Sequence, residues 1–439
     1  MSDDKAHSQA PPGPVNHARN WLQISVAAVI AAPGPVLRLL DITGIADVHI
    51  DPTIEALIFG ISIMAAATLL VWASEVAEQL VSATLALAVL AIIAVLPEYA
   101  VDIYFAWTAG QELLDPSLLQ VGETPAVELA LANMTGANRL LIGLAWPLVF
   151  FLFWFKTRKN ELSVGKSNSV GLIFLGVATL YSFSIPLKES LSLIDSAVLI
   201  SLFGLYLIMS SRTPPSEHEL MGPALTIAAL TPKRKWAAVI GIFIFAAGVV
   251  FAAAEPFANG LVETGESLGI DEFLLVQWLA PLASESPEFI LAGLLALRGR
   301  AGAAMTLLIS SKVNQWTLLV GSLPIAYSIS GGTLDALPVD GRQAHEVFLT
   351  AAQSLFAVAV LLNLRFGIRE ASLIFVLFSI QLAIPVDEVR VGFGFMYILL
   401  ALGWLFWERR EVPQLFRHAR AAVSGTEVDA VSGGDRGEH

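Results

Sequence analysis

The chain has 439 residues, 56% hydrophobic and 14% charged, whereas a soluble protein carries about a quarter of its residues as Asp, Glu, Lys and Arg. That balance excludes a soluble enzyme. A net charge of −13 argues against a nucleic-acid partner, and the lack of cysteine removes disulfide scaffolds, zinc–thiolate sites and cysteine nucleophiles.

In chain order, a polar tail (residues 1–20, with Pro11, Pro12 and Pro14) precedes an extra hydrophobic segment and loop at 21–53. Apolar windows of ~20 residues, the length a helix needs to cross ~30 Å of hydrocarbon, then recur at 54–73, 82–109, 126–155, 169–186 and 191–210. A polar linker at 211–235 holds Pro214-Pro215 and the run Lys233-Arg234-Lys235. Further windows follow at 236–256, 272–297, 303–328, 345–363, 370–385 and 389–408. The C-terminal tail at 409–439, small, acidic and Gly-rich after Arg420, is expected to be disordered. With 21–40 counted, the fold class is an all-α polytopic membrane protein of twelve transmembrane helices. Pro33-Gly34-Pro35 and Arg38 interrupt that first window, and the count is eleven if it only lies on the surface. No run alternates in the manner of a membrane β-barrel.

Basic residues orient these spans. With the N-terminus inside, the inner loops receive Lys156, Arg158, Lys159, Lys166, Arg212, Lys233, Arg298, Arg300, Arg365, Arg369 and Arg409, and the outer loops only Lys188, Arg342 and Arg390. Cytoplasmic loops carry that excess, which places both termini in the cytoplasm. The short loops point to a prokaryotic plasma membrane. Trp107, Trp146 and Trp407 read as interfacial anchors.

The two halves, 54–210 and 236–408, repeat one another. Ala94-Val95-Leu96-Pro97-Glu98 in the first is matched by Ser284-Glu285-Ser286-Pro287-Glu288 in the second, each in the middle of a long apolar span. Upstream, Ser74-Glu75 is echoed by Ala254-Glu255. Downstream, a span with Asn133, Asn138 and Arg139 is matched by one with Ser310, Ser311, Lys312, Asn314 and Gln315. The Pro-Glu spans are third and eighth in order, so the halves face opposite ways: an inverted-topology repeat, common in secondary transporters. A carboxylate at mid-bilayer costs about 2.5–3.5 kcal/mol on insertion scales, and a bound cation offsets that cost. Proline frees a carbonyl one turn back, and carbonyls beside carboxylates are the hard oxygen ligands that Ca2+ and Na+ prefer. Glu98 and Glu288 are therefore the candidate metal-ion ligands.

At these residues the sequence resembles the cation/calcium exchanger superfamily, the sodium/calcium exchanger-like transporters, over about 75–209 and 255–405. The resemblance implies alternating access, with Glu98 and Glu288 as paired central ligands. It also implies ion-binding roles for Ser284, Ser311 and Gln315, with Asn133, Asn138 and Asn314 as further amide candidates. The chain departs from the family pattern at Ala94 and Val95, where hydroxyls are usual, at Glu285, which adds an acid, and at Arg139 and Lys312, which add positive charge.

Those charges carry expectations of their own. Lys312 is expected to pair with Glu285, since unit charges 4 Å apart attract by ~4 kcal/mol at an effective dielectric of 20. That pair either replaces one bound cation or couples transport to protons. Asp102, one turn beyond Glu98, is a relay carboxylate or a solvated residue near the outer mouth. The function implied is a secondary cation antiporter exchanging Ca2+ or Na+ for Na+ or H+, with sodium/proton exchange as the alternative. An intramembrane enzyme using Glu98 and Asp102 explains less, because Ala292 stands where the second half would need its second acid, and a channel or non-transporting sensor on the same fold is the remaining class. No cofactor is expected beyond the transported ions. The partners are inorganic cations and the lipid bilayer, and no nucleotide-binding motif points to ATP.

Overall fold

A computed structural model of the chain describes residues 16–44, 51–77, 80, 96–119, 124–212, 220, 222–339, 341–384 and 386–424. Ala94, Val95 and the first half of the third apolar window lie outside the described residues, as do the ends of both tails. The first half contains α1 (His17–Ala31), α2 (Pro33–Thr43), α3 (Pro52–Ala77), α4 (described over Leu96–Leu114), α5 (Ala126–Leu140), α6 (Trp146–Thr157), α7 (Ser169–Ser182), α8 (Ser184–Lys188) and α9 (Leu193–Ser210). The linker holds the short α10 (Pro223–Ala228). The second half contains α11 (Pro232–Leu268), α12 (Glu272–Leu297), α13 (Ala301–Asn314), α14 (Val320–Gly331), α15 (Gly341–Val360), α16 (Ile368–Ala383) and α17 (Asp387–Trp407). Each of the twelve apolar windows thus carries a helix, and the first is broken in two between Ala31 and Pro33 as its prolines dictate.

Among the described residues, 7 helical segments are long and apolar enough to cross a membrane by composition alone: 17–43, 52–77, 126–157, 166–188, 193–210, 232–265 and 387–407. The remaining helices are shorter, or carry the buried polar side chains that lower their hydropathy. α3 has apolar residues on every face, as a bilayer helix does. α9 starts at a capping box in which the Ser192 hydroxyl and the Asp195 carboxylate each bond the other's backbone N–H.

The repeat is explicit in the backbone. α5 runs into a π turn, Leu141–Ala145, and continues as α6; α13 runs into a π turn, Gln315–Leu319, and continues as α14. Such turns insert one extra residue into a helix and recur at functional sites. The packing is crosswise: the Pro-Glu helix α4 of the first half lies against α14, and the Pro-Glu helix α12 of the second half lies against α5. Among the described residues, α3 and α11 form the most extensive helix pair, with α1 and α2 laid against them.

Loops assigned to one side of the membrane meet one another. β1 (Glu161–Ser163) pairs antiparallel with β4 (Arg365–Gly367), joining two inner loops. β2 (Ser190–Leu191) pairs with β3 (Leu337–Pro338), joining two outer ones. The tail read as disordered from residue 409 instead carries α18 (Val412–Ser424), which buries Leu415 and Ala419. The acidic, Gly-rich composition belongs to the residues after it. Trp146, read as an interfacial anchor, is fully buried at the foot of the first π turn, while Trp107 and Trp407 are exposed. A large aromatic side chain is also a core filler, and hydropathy does not distinguish the two uses.

Candidate ion-binding site

Four acidic side chains on the two Pro-Glu helices sit inside the helical bundle: Glu98, Asp102 and Glu285 at 0% exposure and Glu288 at 3%. The carboxylates of Glu98, Glu285 and Glu288 lie within coulombic reach of one another, so the two Pro-Glu helices do meet. An amide from the following helix of its own repeat steadies one acid on each side. Asn133 Nδ2 on α5 donates to Asp102 Oδ1 on α4 at 2.8 Å, and Gln315 Nε2 in the second π turn donates to Glu285 Oε1 on α12 at 2.9 Å. Asp102 is therefore a buried, amide-held carboxylate rather than a solvated residue at the outer mouth. Tyr99, beside Glu98, donates its hydroxyl to Asn314 Oδ1 at 3.1 Å and ties the first Pro-Glu helix to the second repeat.

Many oxygens around these acids have no hydrogen-bond donor. They are both carboxylate oxygens of Glu98, Oδ2 of Asp102, Oε2 of Glu285 and Glu288, Oδ1 of Asn133, Oε1 of Gln315 and Oγ of Ser311. A buried polar atom left unpaired costs about 1–3 kcal/mol, and more when charged. All are hard oxygen donors, the set Ca2+ takes at six to eight ligands. Among the described residues, no three His, Cys, Asp or Glu side chains converge tightly enough to hold a metal alone. A cation here would draw on amide, hydroxyl and backbone oxygens as well. Ser284 turns its hydroxyl back to Ala280 O and Pro281 O at 3.2 and 3.3 Å, the usual bond of a helical serine to its own preceding turn.

The added positive charges are placed differently from expectation. Lys312 makes no ion pair with Glu285, whose Oε1 takes the Gln315 amide. Its Nζ instead crosses to the other repeat and donates to Asn138 O at 3.1 Å and Asn138 Oδ1 at 2.6 Å, over the Trp316 ring at 4.6 Å. It is fully buried and does not extend to the surface. Arg139 points away from the acids. It pairs with Glu346 of α15 at 2.5 Å and stacks over Trp278 of α12 with 4.8 Å from guanidinium to ring centroid. Arg390 of α17 pairs with the same Glu346 carboxylate, and all three side chains are at most 1% exposed. Glu255 of α11, the upstream acid of the second half, pairs with Arg38 of α2.

Glu346, Tyr99 and Trp278 were not singled out from the sequence, and Arg390, assigned there to an outer loop, is instead buried in α17. Glu346 and Arg390 stand near the starts of apolar windows, where a charge reads as loop. The available signal was the match of one acid to two arginines in spans that hold few other charges.

A model of the family described as sodium/calcium exchanger protein matches residues 53–212 and 238–386. Among solved structures, one described as the H+/Ca2+ exchanger CAX is 42% identical, with a TM-score of 0.86 over 93% of this chain and 100% of that one. The structure of native YfkE is 15% identical, with a TM-score of 0.56 over 88% of this chain and 99% of that one. The sodium-calcium exchanger NCX_Mj, soaked with 100 mM Na+ and 10 mM Sr2+, is 17% identical with a TM-score of 0.50, over 76% of this chain and 98% of that one. The last two similarities speak to the fold alone. No match was found among curated proteins.

Proposed function

Because this chain belongs to the sodium/calcium exchanger protein family, we propose that it is a secondary active antiporter that exchanges Ca2+ for H+ across a lipid bilayer by alternating access. The observation that carries this reading is the cluster of donorless oxygens on Glu98, Asp102, Glu285 and Glu288, contributed by both Pro-Glu helices. Likeness at 42% identity to an H+/Ca2+ exchanger favours the proton as counter-ion. A carboxylate must be deprotonated to ligate a metal, so Ca2+ binding releases protons and protonation releases Ca2+. One set of acids that holds either load, but not both, is what antiport needs. Glu98 and Glu288 act as the shared central ligands. Asn133 and Gln315 keep Asp102 and Glu285 oriented, and Ser311, Asn314 and Asn138 line the passage between the repeats. The reading places the protein in a prokaryotic plasma membrane with both termini cytoplasmic, as the distribution of basic residues favours.

The test is flux in sealed proteoliposomes. With an acidic lumen and micromolar Ca2+ outside, Ca2+ enters and the lumen alkalinises together. Removing one carboxylate charge by Glu98→Gln or Glu288→Gln lowers Ca2+ affinity ~100-fold, about 2.7 kcal/mol. Ca2+ uptake that needs a Na+ gradient and ignores pH would replace H+ by Na+ in this reading. A pH change under a Na+ gradient with no Ca2+ movement would establish sodium/proton exchange. Folded protein that moves neither ion would end the transport reading.

A further inference from the structure

The π turns fix how the repeats correspond. Leu141 and Gln315 open them, so Asn138 and Lys312, each three residues earlier, occupy equivalent positions on α5 and α13. These are the two residues that touch. Lys312 Nζ reaches across to the side-chain and backbone oxygens of its own counterpart. The contact therefore lies where the two repeats meet, at the centre of the molecule, within coulombic reach of Glu285.

An ammonium group and a sodium ion ask for the same things: oxygen ligands and a negative surrounding. Here Asn138 gives two oxygens, Glu285 gives the negative charge, and the Trp316 face closes one side. The other fully buried cation nearby, Arg139, is already satisfied by Glu346. That leaves Lys312 as the buried basic group that faces Glu285 of the second Pro-Glu helix. A side chain anchored on α13 needs no binding step, so no free monovalent ion can compete with it at physiological concentration.

We propose that the Lys312 ammonium is a tethered monovalent cation that occupies a monovalent-cation position between the repeats and makes the exchanger indifferent to Na+. Lys312 is thus a specificity-determining residue for the antiport proposed above, and the inference rests on that reading. Removing the ammonium empties the position and exposes its oxygen ligands.

Two measurements test this on the full-length protein. The first, equilibrium binding of 22Na+, needs no turnover. Wild type binds no Na+ above background, whereas Lys312→Ser, which adds one more oxygen, binds Na+ saturably. The second is Ca2+ binding in 100 mM Na+ against choline. The apparent Ca2+ affinity of wild type is unchanged, whereas that of Lys312→Ser falls ~10-fold in Na+ as the ions compete for shared carboxylates. Methylammonium added to Lys312→Ser restores the wild-type response. Saturable Na+ binding to wild type overturns the proposal without any variant, which keeps it testable if Lys312→Ser does not fold. A folded, monodisperse Lys312→Ser that binds no Na+ also overturns it. If wild type shows no Ca2+–H+ exchange yet the 22Na+ result holds, the antiport reading fails and the tethered-cation assignment stands.

Discussion

Each Pro-Glu acid shows itself in the sequence because it sits in the middle of a long apolar span with few other charges, so a carboxylate there demands an explanation. Glu346 does not, since it follows Arg342 and His345 and reads as the end of a loop. Its role is visible only when Arg139 and Arg390 arrive from other helices. The three form a buried triad with two guanidinium groups on one carboxylate. Removing the shared acid leaves two buried cations unpaired, which costs about 3–5 kcal/mol. We therefore expect Glu346→Gln to lower the thermal midpoint in detergent by far more than Glu98→Gln does. Glu98 has no basic partner to lose, so its neutral amide removes a repulsion among acids instead of an ion pair. Differential scanning fluorimetry of the two variants decides this, and equal losses would mean that the triad does not hold α5, α15 and α17 together. In the same way, the resemblance supplied Gln315 as an ion ligand, and the structure shows the amide holding Glu285, a relation that depends on α12 and α13 lying side by side.

At the level of the helices, apolar windows located all twelve segments, while their internal detail depends on contacts that hydropathy does not contain. The sequence left the alignment of the first amide helix open, because Asn133, Asn138, Ser311 and Gln315 can be matched in several registers. The π turns close that question through backbone geometry. α18 was hidden because the composition of the whole tail masked its apolar face, on which Leu415 and Ala419 are buried. Close helix contacts are equally invisible until chains cross. Gly136 on α5 lies directly against the Gln277 carbonyl of α12, and an added Cβ would overlap that oxygen; Gly241 on α11 has nothing within 4 Å. Both are glycines in helix interiors, so propensity alone favours alanine at either by about 1 kcal/mol. Packing reverses the sign at the first. Gly136→Ala is expected to destabilise by about 1–3 kcal/mol and to loosen the Asn133–Asp102 clamp on the same helix, weakening Ca2+ binding. Gly241→Ala is expected to raise stability slightly without touching transport. Thermal midpoints and Ca2+ titrations of the pair distinguish packing from propensity, and matching shifts would show that α5 and α12 have room to separate.

For the molecule as a whole, the helices divide by what they touch. α4, α5, α12, α13 and α14 interlock crosswise and carry the acids and amides, whereas α3 and α11 pack chiefly along each other, with α2 attached through the Arg38–Glu255 pair. Exchange of exposure in a transporter built from inverted repeats is mostly a rigid movement of one bundle against another. An extended α3–α11 contact makes those two helices a natural single body. The boundary between bodies then runs between this pair and the acid-bearing helices, where the Tyr104–Asn259 hydrogen bond, 2.7 Å, is one of the ties across it. The chain contains no cysteine, so a disulfide can be introduced on a silent background. A Cβ placed on Gly260 of α11 would lie 3.1 Å from the Ala56 Cβ of α3, within a few tenths of an ångström of the ~3.5–4.5 Å range that a disulfide spans. Ala56→Cys with Gly260→Cys is expected to close on oxidation, and the locked protein is expected to keep its Ca2+ flux to within about twofold, a difference of about 0.4 kcal/mol in the rate-limiting barrier. The same double variant, reduced with dithiothreitol in the same liposomes, is the reference. If oxidation stops transport and reduction restores it, α3 and α11 slide past one another during the cycle, and the boundary between moving bodies lies inside the pair.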